Sequence, residues 1–210
     1  MNKVAGLLLA AGTSSRMGKP KQLLPIGGLT LLDCVLEQAL RSDLDLVTLV
    51  LGFSAQEIRQ TLRVDPHHPK LKVVQNDRYQ EGISSSIIAG LSAVEDEYDH
   101  VMVILGDMPY VTSRLINLLL RRYLESPFPL GAVKVKAKRS HPVIISRHFY
   151  PDLHLLQGDE GARDLFAKVA DRICWVESEK EDADLDIDTA GDYRQLKKSL
   201  GKKHRKVYSL

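Results

Sequence analysis

Residues Ala10–Lys21 read AAGTSSRMGKPK, immediately after the apolar run VAGLLL at Val4–Leu9. Two glycines, three hydroxyl residues and three cations in twelve positions give the stretch the make-up of a phosphate-holding loop. Free backbone N–H groups, hydroxyls and side-chain cations all bind anionic oxygen. The preceding run is short and aliphatic, as a buried parallel strand should be. A loop at the end of the first strand of an open parallel sheet lies where such sheets bind ligands. The stretch does not match a nucleotide-hydrolase phosphate loop, which has four residues between its glycines and Ser or Thr after its Lys. Here five residues separate Gly12 from Gly18, and Pro20 follows Lys19. The dinucleotide pattern G-x-G-x-x-G is absent as well, which argues against a nucleotide-linked oxidoreductase on this scaffold. Pro20 pushes Lys19 out of the helical region. The loop is therefore longer and more open, with Arg16, Lys19 and Lys21 able to reach inward.

Outward from this loop, LVTLVL (46–51), LKVVQ (71–75) and VMVIL (101–105) repeat the buried-strand pattern. Between them, Leu31, Leu32, Val35, Leu36, Ala39 and Leu40 form one apolar face at helical spacing, with Thr30 as its cap. Ile83, Ile87, Ile88, Leu91 and Val94 form another, and a further helix runs from about Thr112 to Leu124. This alternation predicts an α/β fold, a doubly wound, mostly parallel, Rossmann-like sheet with helices on both faces. After Pro127 the pattern changes: LGAVKVKAK alternates, HPVIIS is a short strand, GARDLFAKVA a helix and RICWVE a strand in which Trp175 reads as core. These segments are expected to add edge strands and a substrate-facing lobe to the same sheet. The expected organisation is one domain over residues 1–200, with 1–125 binding nucleotide and 126–200 binding the acceptor, and a basic tail at 201–210.

Composition narrows the function classes. The chain has 210 residues, 44% hydrophobic and 27% charged, enough for a substantial core. Its 29 basic and 27 acidic residues leave a net charge of +2. No general basic field exists for nucleic acid or a membrane surface, and no run approaches the ~20 apolar residues of a membrane span. Cys34 and Cys174 lie far apart in apolar segments, as free thiols in a reducing compartment do. The N-terminal apolar run is too short, and its cationic flank too slight, for a secretory signal. A cytoplasmic protein is expected.

The stretch LLLAAGTSSRMGKPKQLLPIGGLTLL resembles the signature L-A-A-G-x-S-x-R-M-G-x-x-K of nucleotidyltransferases that couple a nucleoside triphosphate to a phosphorylated acceptor. The molybdenum cofactor cytidylyltransferase group is the most similar. EGISSSIIAGL, VILGDMPYVT, HPVIIS, LQGDEGARDLF and DIDTAGDY follow in that family's order, so the resemblance spans nearly the whole chain. The chain departs from it at Ser140, where glycine is expected before HPV, and in DTAGDY, where DTPEDY is usual.

The resemblance implies a nucleotide site at Leu9, Ala10, Ala11 and Gly12, with Arg16 and Lys21 neutralising phosphates. Ala10 and Ala11 favour cytidine over guanosine by the same resemblance. Asp107 follows a buried run and should project into the crevice at a strand end, where Mg²⁺ takes one or two carboxylates plus phosphate oxygens and water; the alternative is a turn Asp that caps the helix starting near Thr112, and the resemblance favours the metal. In an extended DADLDIDT, Asp184, Asp186 and Asp188 share one face. Asp184 reads as a solvated acidic edge, while the resemblance makes Asp188 the second metal ligand, with Asp186 nearby and assigned to the acceptor. Ser84, Ser85 and Ser86 open a helix, where they either bind nucleotide or only cap it. Gly12 and Gly82 either admit a close ligand or form turns. His141 is assigned to acceptor contact or to structure. Arg163 is assigned to the acceptor or to an ion pair with Asp159 or Glu160.

The resulting expectation is an Mg²⁺-dependent transfer of CMP from CTP to the terminal phosphate of molybdopterin, for delivery to a xanthine dehydrogenase type molybdoenzyme. The alternatives are a guanylyltransferase, a sugar-phosphate nucleotidyltransferase, or a non-catalytic molybdenum cofactor carrier.

Overall fold

The computed structural model describes residues 2–14, 18, 20–179 and 184–203, the side chains of 199–203 excepted. Arg16 and Lys19 of the first loop, and 204–210 of the basic tail, lie outside the described residues. Four aliphatic runs form β1 (Val4–Ala10), β4 (Leu46–Leu51), β5 (Leu71–Gln75) and β6 (His100–Leu105), all parallel. Every residue of β1 is buried, because β4 and β6 flank it and helices cover both its faces. A small hairpin, β2 (Pro25–Ile26) with β3 (Leu29–Thr30), precedes α1 (Leu31–Leu40). Thr30 caps α1 as its sequence predicts, and Asp33 returns a bond to the Thr30 N–H, which closes a capping box.

The full sheet has seven strands in the order β5-β4-β1-β6-β8-β7-β9, adding β7 (Leu130–Val135), β8 (Lys138–Ser146) and β9 (Ile173–Glu177). It is doubly wound and mostly parallel. β8 alone runs against β6 and β7, while β9 is parallel to β7. HPVIIS is thus the end of a nine-residue strand, and β7 and β8 are interior; only β9 of the later strands is an edge. Lys136 and Ala137, both at positive φ, make the tight turn between β7 and β8.

α1, α2 (Ala55–Thr61) and α4 (Ser113–Leu124) pack on one face of the sheet, in a core with Leu8, Leu49, Met102 and Ile144. α3 (Ile83–Ser92), α5 (Tyr150–His154) and α6 (Arg163–Lys168) pack on the other, around Leu7, Val103, Val143 and Ile145. α7 (Ala190–Lys203) contributes Leu196 to a third cluster, where Ile187 meets Leu24, Leu31 and Cys34. Trp175 is not core: it is 37% exposed on the edge strand β9, and the Lys134 ammonium lies 4.4 Å from its ring centre. Both cysteines are buried free thiols. Among the described residues no helix is long and apolar enough to cross a membrane.

Candidate active site

From β1 the chain steps outward to β4 and β5, then returns to β6 on the other side of β1. That reversal opens a crevice past the carboxyl ends of β1 and β6, the place where an open α/β sheet accepts ligands. A cleft of about 330 Å³ occupies it, and Leu9, Ala10, Ala11, Gly12, Lys21 and Asp107 all face it.

The first loop is held by Gln22, a residue the sequence pattern did not single out. Its side chain is 3% exposed and donates to the carbonyls of Ala10 (3.0 Å) and Gly12 (3.1 Å). Ser14, at φ 54°, donates from Oγ to Gln22 Oε1 and accepts the Lys21 N–H at 3.0 Å. Its only mark in the sequence is an amide between the cationic Lys21 and the apolar Leu23 and Leu24. Among the described residues no atom lies within 4 Å of where a Gly12 Cβ would stand, and Gly12 borders the cleft.

Lys21 points into the cleft. Its Nζ donates to Asp107 Oδ2 at 2.5 Å and to Asp188 Oδ1 at 2.8 Å. Burial, the largest single influence, pulls the Lys21 pKa down, but the charges and hydrogen bonds of Asp107 and Asp188 outweigh it and the net shift is upward. The Lys21 and Asp107 side chains are 15% and 18% exposed against 41% for Asp188, so the Asp107 arm is the less screened. Asp107 sits in the turn after β6, where the Gly106 N–H donates to the Leu9 carbonyl. Asp188 arrives because the Ile187 N–H donates to the Asp107 carbonyl while the Ile187 side chain is buried. Asp192 then accepts from the Asp188 and Thr189 N–H groups, while Thr189 Oγ1 accepts the Asp192 N–H and caps α7. DTAGDY therefore keeps a complete helix start despite its departure from the usual pattern.

The carboxylates suit a hard divalent cation. Asp107 Oδ1 is buried and accepts no hydrogen bond from any described residue. Among the described residues no group of three or more His, Cys, Asp or Glu converges. Two carboxylates are enough for Mg²⁺ only when phosphate oxygens and water complete the shell, as this ion ordinarily permits.

The three serines divide. Ser86 lines the cleft, whereas Ser84 and Ser85 face a separate depression on the far side of α3. Asn76 donates to both Ser85 Oγ and Ser86 Oγ, and Ser85 Oγ donates to the Gly82 carbonyl, so Ser85 is occupied in holding the turn. Gly82 has φ 93°, and a Cβ there would stand 2.4 Å from the Gly158 carbonyl. The Ser84 N–H donates to the same carbonyl and the Ile83 N–H to Asp159 Oδ1. The start of α3 is thereby bolted to the 156–161 loop. Tyr79 and Gln80, also unforeseen, line the cleft beside this junction.

His141 and Arg163 meet in an adjoining cavity of about 230 Å³. Arg163 pairs with neither Asp159 nor Glu160, contrary to one of its two readings. The His141 pKa is pulled down to about 4, first by burial and then by Arg139, so the imidazole is neutral near pH 7. Asp186 does not join these two residues; it borders a small hollow against α7, and burial together with Asp188 and Asp107 raises its pKa.

Comparison with known proteins bears on the family and the fold. The chain is 30% identical over 207 residues to the nicotine blue oxidoreductase of Paenarthrobacter nicotinovorans, spanning 92% of this chain and 96% of that one. It is 31% identical over 112 residues to the molybdenum cofactor cytidylyltransferase of Escherichia coli K12, spanning 53% and 55%. The crystal structure of Rv0371C from Mycobacterium tuberculosis H37Rv in complex with manganese superposes with a TM-score of 0.78 at 26% identity, covering 94% of this chain and 99% of that one. The model of the MobA-like NTP transferase domain matches residues 6–173, and the chain belongs to that family.

Proposed function

We propose that this nucleotidyltransferase transfers CMP from CTP to the terminal phosphate of molybdopterin and releases pyrophosphate. The observation that carries the reading is the bridge from Lys21 to Asp107 and Asp188 at the carboxyl edge of β1 and β6. A terminal phosphate oxygen of the acceptor attacks the α-phosphorus of the triphosphate. A new P–O bond forms as the bond to the β-phosphate oxygen breaks, and the electron pair leaves with pyrophosphate. A phosphate monoester has a second pKa of about 6 and is already largely ionised near neutral pH, so no general base is required.

This chain's residues then act through position and charge. The loop held by Gln22 presents Gly12 to the triphosphate. Lys21 moves its charge from the carboxylates to the phosphate oxygens, a task that the resemblance also gives to Arg16. Mg²⁺, held by Asp107 and Asp188, would neutralise phosphate charge and polarise the α-phosphate. Leu9, Ala10, Ala11 and Ser86 border the base and ribose, and His141 and Arg163 face the acceptor. The partial match to a cytidylyltransferase supports CTP and molybdopterin, and the manganese complex of a structural relative supports a divalent ion.

Pyrophosphate release tests this with Mg²⁺ and molybdenum-loaded molybdopterin, comparing CTP, GTP and ATP and including Asp107→Asn. Release with CTP alone, lost in the variant, is expected. Release with GTP alone would overturn the base assignment and leave the mechanism. Silence with all three from a folded protein that binds the pterin would favour a carrier. Normal turnover in Asp107→Asn would remove the metal assignment.

One comparison favours a second reading, an oxidoreductase, because the relative of that name matches 92% of this chain. Substrate-dependent oxidation of a reduced nicotinamide, followed by absorbance, would support it.

A further inference from the structure

β8 begins at the same edge of the sheet where the parallel strands end, because it runs against them. Its pairing with β6 stops at Val143, and its register with β7 slips between Ala132 and Val133, leaving His141 and Pro142 without partners. Proline donates nothing to a ladder, so a bulge is where a strand tolerates it. The gap left there is the 230 Å³ cavity, which shares Ile83, Leu105 and Asp159 with the nucleotide cleft.

Val103, Val143 and Phe166 make an apolar wall, Arg139 and Arg163 carry the positive charge beside the neutral His141, and Asp159 and Glu160 complete the lining. The Arg139 guanidinium lies over Phe166, 4.8 Å from the ring centre, and donates to the Arg163 carbonyl at 3.4 Å. Among the described residues neither arginine is in an ion pair. Burial, and then the charge of Arg163, lowers the Arg139 pKa, which marks a guanidinium that gains by meeting an anion.

From this geometry we propose that Arg139 is the anion anchor of the acceptor pocket, selecting a small acceptor that carries a phosphate or carboxylate on a flat ring whose face packs on the apolar wall. Stacking on Phe166 fixes the plane of the fork, which suits bidentate contact with two oxygens, while the apolar wall takes the ring. The position beside the cleft brings such an acceptor to the α-phosphate. The inference rests on the transferase reading for which acceptor fills the pocket, and not for the pocket's preference for anions.

The test measures inorganic phosphate binding by ³¹P line broadening with excess CTP present, and molybdopterin binding by its fluorescence without nucleotide. Arg139→Met keeps a stem over Phe166 and removes the fork; Arg139→Lys keeps the charge without the fork. Arg139→Met is expected to weaken both ligands at least tenfold, the scale of one charge-assisted contact, with CTP affinity and melting temperature unchanged. Arg139→Lys should recover only part of the loss. Arg139-dependent phosphate binding without any molybdopterin binding would keep the pocket and overturn the acceptor named above. Equal binding of both ligands by the wild type and Arg139→Met, or no phosphate binding by the wild type, would overturn the inference and leave the nucleotide site standing.

Discussion

Lys21 and Asp188 are 167 positions apart in the chain, yet the ammonium of one donates to Oδ1 of the other at 2.8 Å. With Asp107 as the third member, the bridge ties the loop after β1, the turn after β6 and the segment before α7 into one charged centre.

Loss of Lys21 leaves the Asp107 carboxylate, 18% exposed, without its cation. Lys21→Ala is expected to lower stability by about 1–3 kcal/mol, read as a lower urea midpoint at unchanged slope. Added Mg²⁺ should recover part of that loss. Pyrophosphate release should fall at least ~100-fold, the scale of one preorganised charge-stabilising group. An unchanged midpoint with unchanged turnover would mean the bridge is incidental.

Gln22 serves two carbonyls and one hydroxyl, so replacing it strips three partners at once. Gln22→Ala should cost about 1–3 kcal/mol and raise KM for the nucleotide more than it lowers kcat, since the loop is left unpinned. Gln22→Glu is expected to be no better, because a carboxylate cannot donate to the Ala10 and Gly12 carbonyls. Wild-type KM in both variants would remove the loop-holding role.

Two glycines should separate cleanly. Gly82→Ala combines φ 93° with a Cβ 2.4 Å from the Gly158 carbonyl, and should destabilise the fold by at least ~2 kcal/mol. Gly12→Ala meets no atom of the described residues and should melt like the wild type while binding nucleotide more weakly, as its methyl enters the crevice. Calorimetry of both variants with and without CTP checks the pair; intact CTP affinity in Gly12→Ala would move the phosphates elsewhere.

His141 and His100 carry lowered pKa values, His141 to about 4, in both cases chiefly through burial. The unfolded chain takes up protons from about pH 6.5 downward that the folded chain refuses, so the unfolded state binds more protons in this window. Stability should be level above pH 6.5 for these groups and decline as pH falls from there toward 4. Urea midpoints between pH 7.5 and 4.5 should fall less steeply in His141→Gln than in the wild type. Parallel profiles would mean His141 titrates normally in the folded protein.

The four parallel strands and the Thr30 cap were legible because each is local. A buried strand needs a short branched run and a cap needs one hydroxyl before an amphipathic stretch, and neither depends on distant residues. Trp175 shows the limit of that reading. Its alternation with Ile173 matched a core pattern, but burial depends on whether other elements cover that one position, and Ile173 is 5% exposed where Trp175, two residues on, is 37%.

The sequence alone determined that the chain alternates strand and helix, that its first loop carries glycines, hydroxyls and cations at a strand end, and that Asp107 closes a buried run. Those features follow from covalent order and local periodicity. Tertiary structure decided which distant groups meet: Gln22 beneath the Ala10 and Gly12 carbonyls, Asp188 beside Asp107 through the buried Ile187, and Arg139 over Phe166 where β8 leaves β6. Strand order, register and bulges set those meetings, and they depend on which surfaces bury one another across the whole sheet rather than on any stretch of residues read by itself.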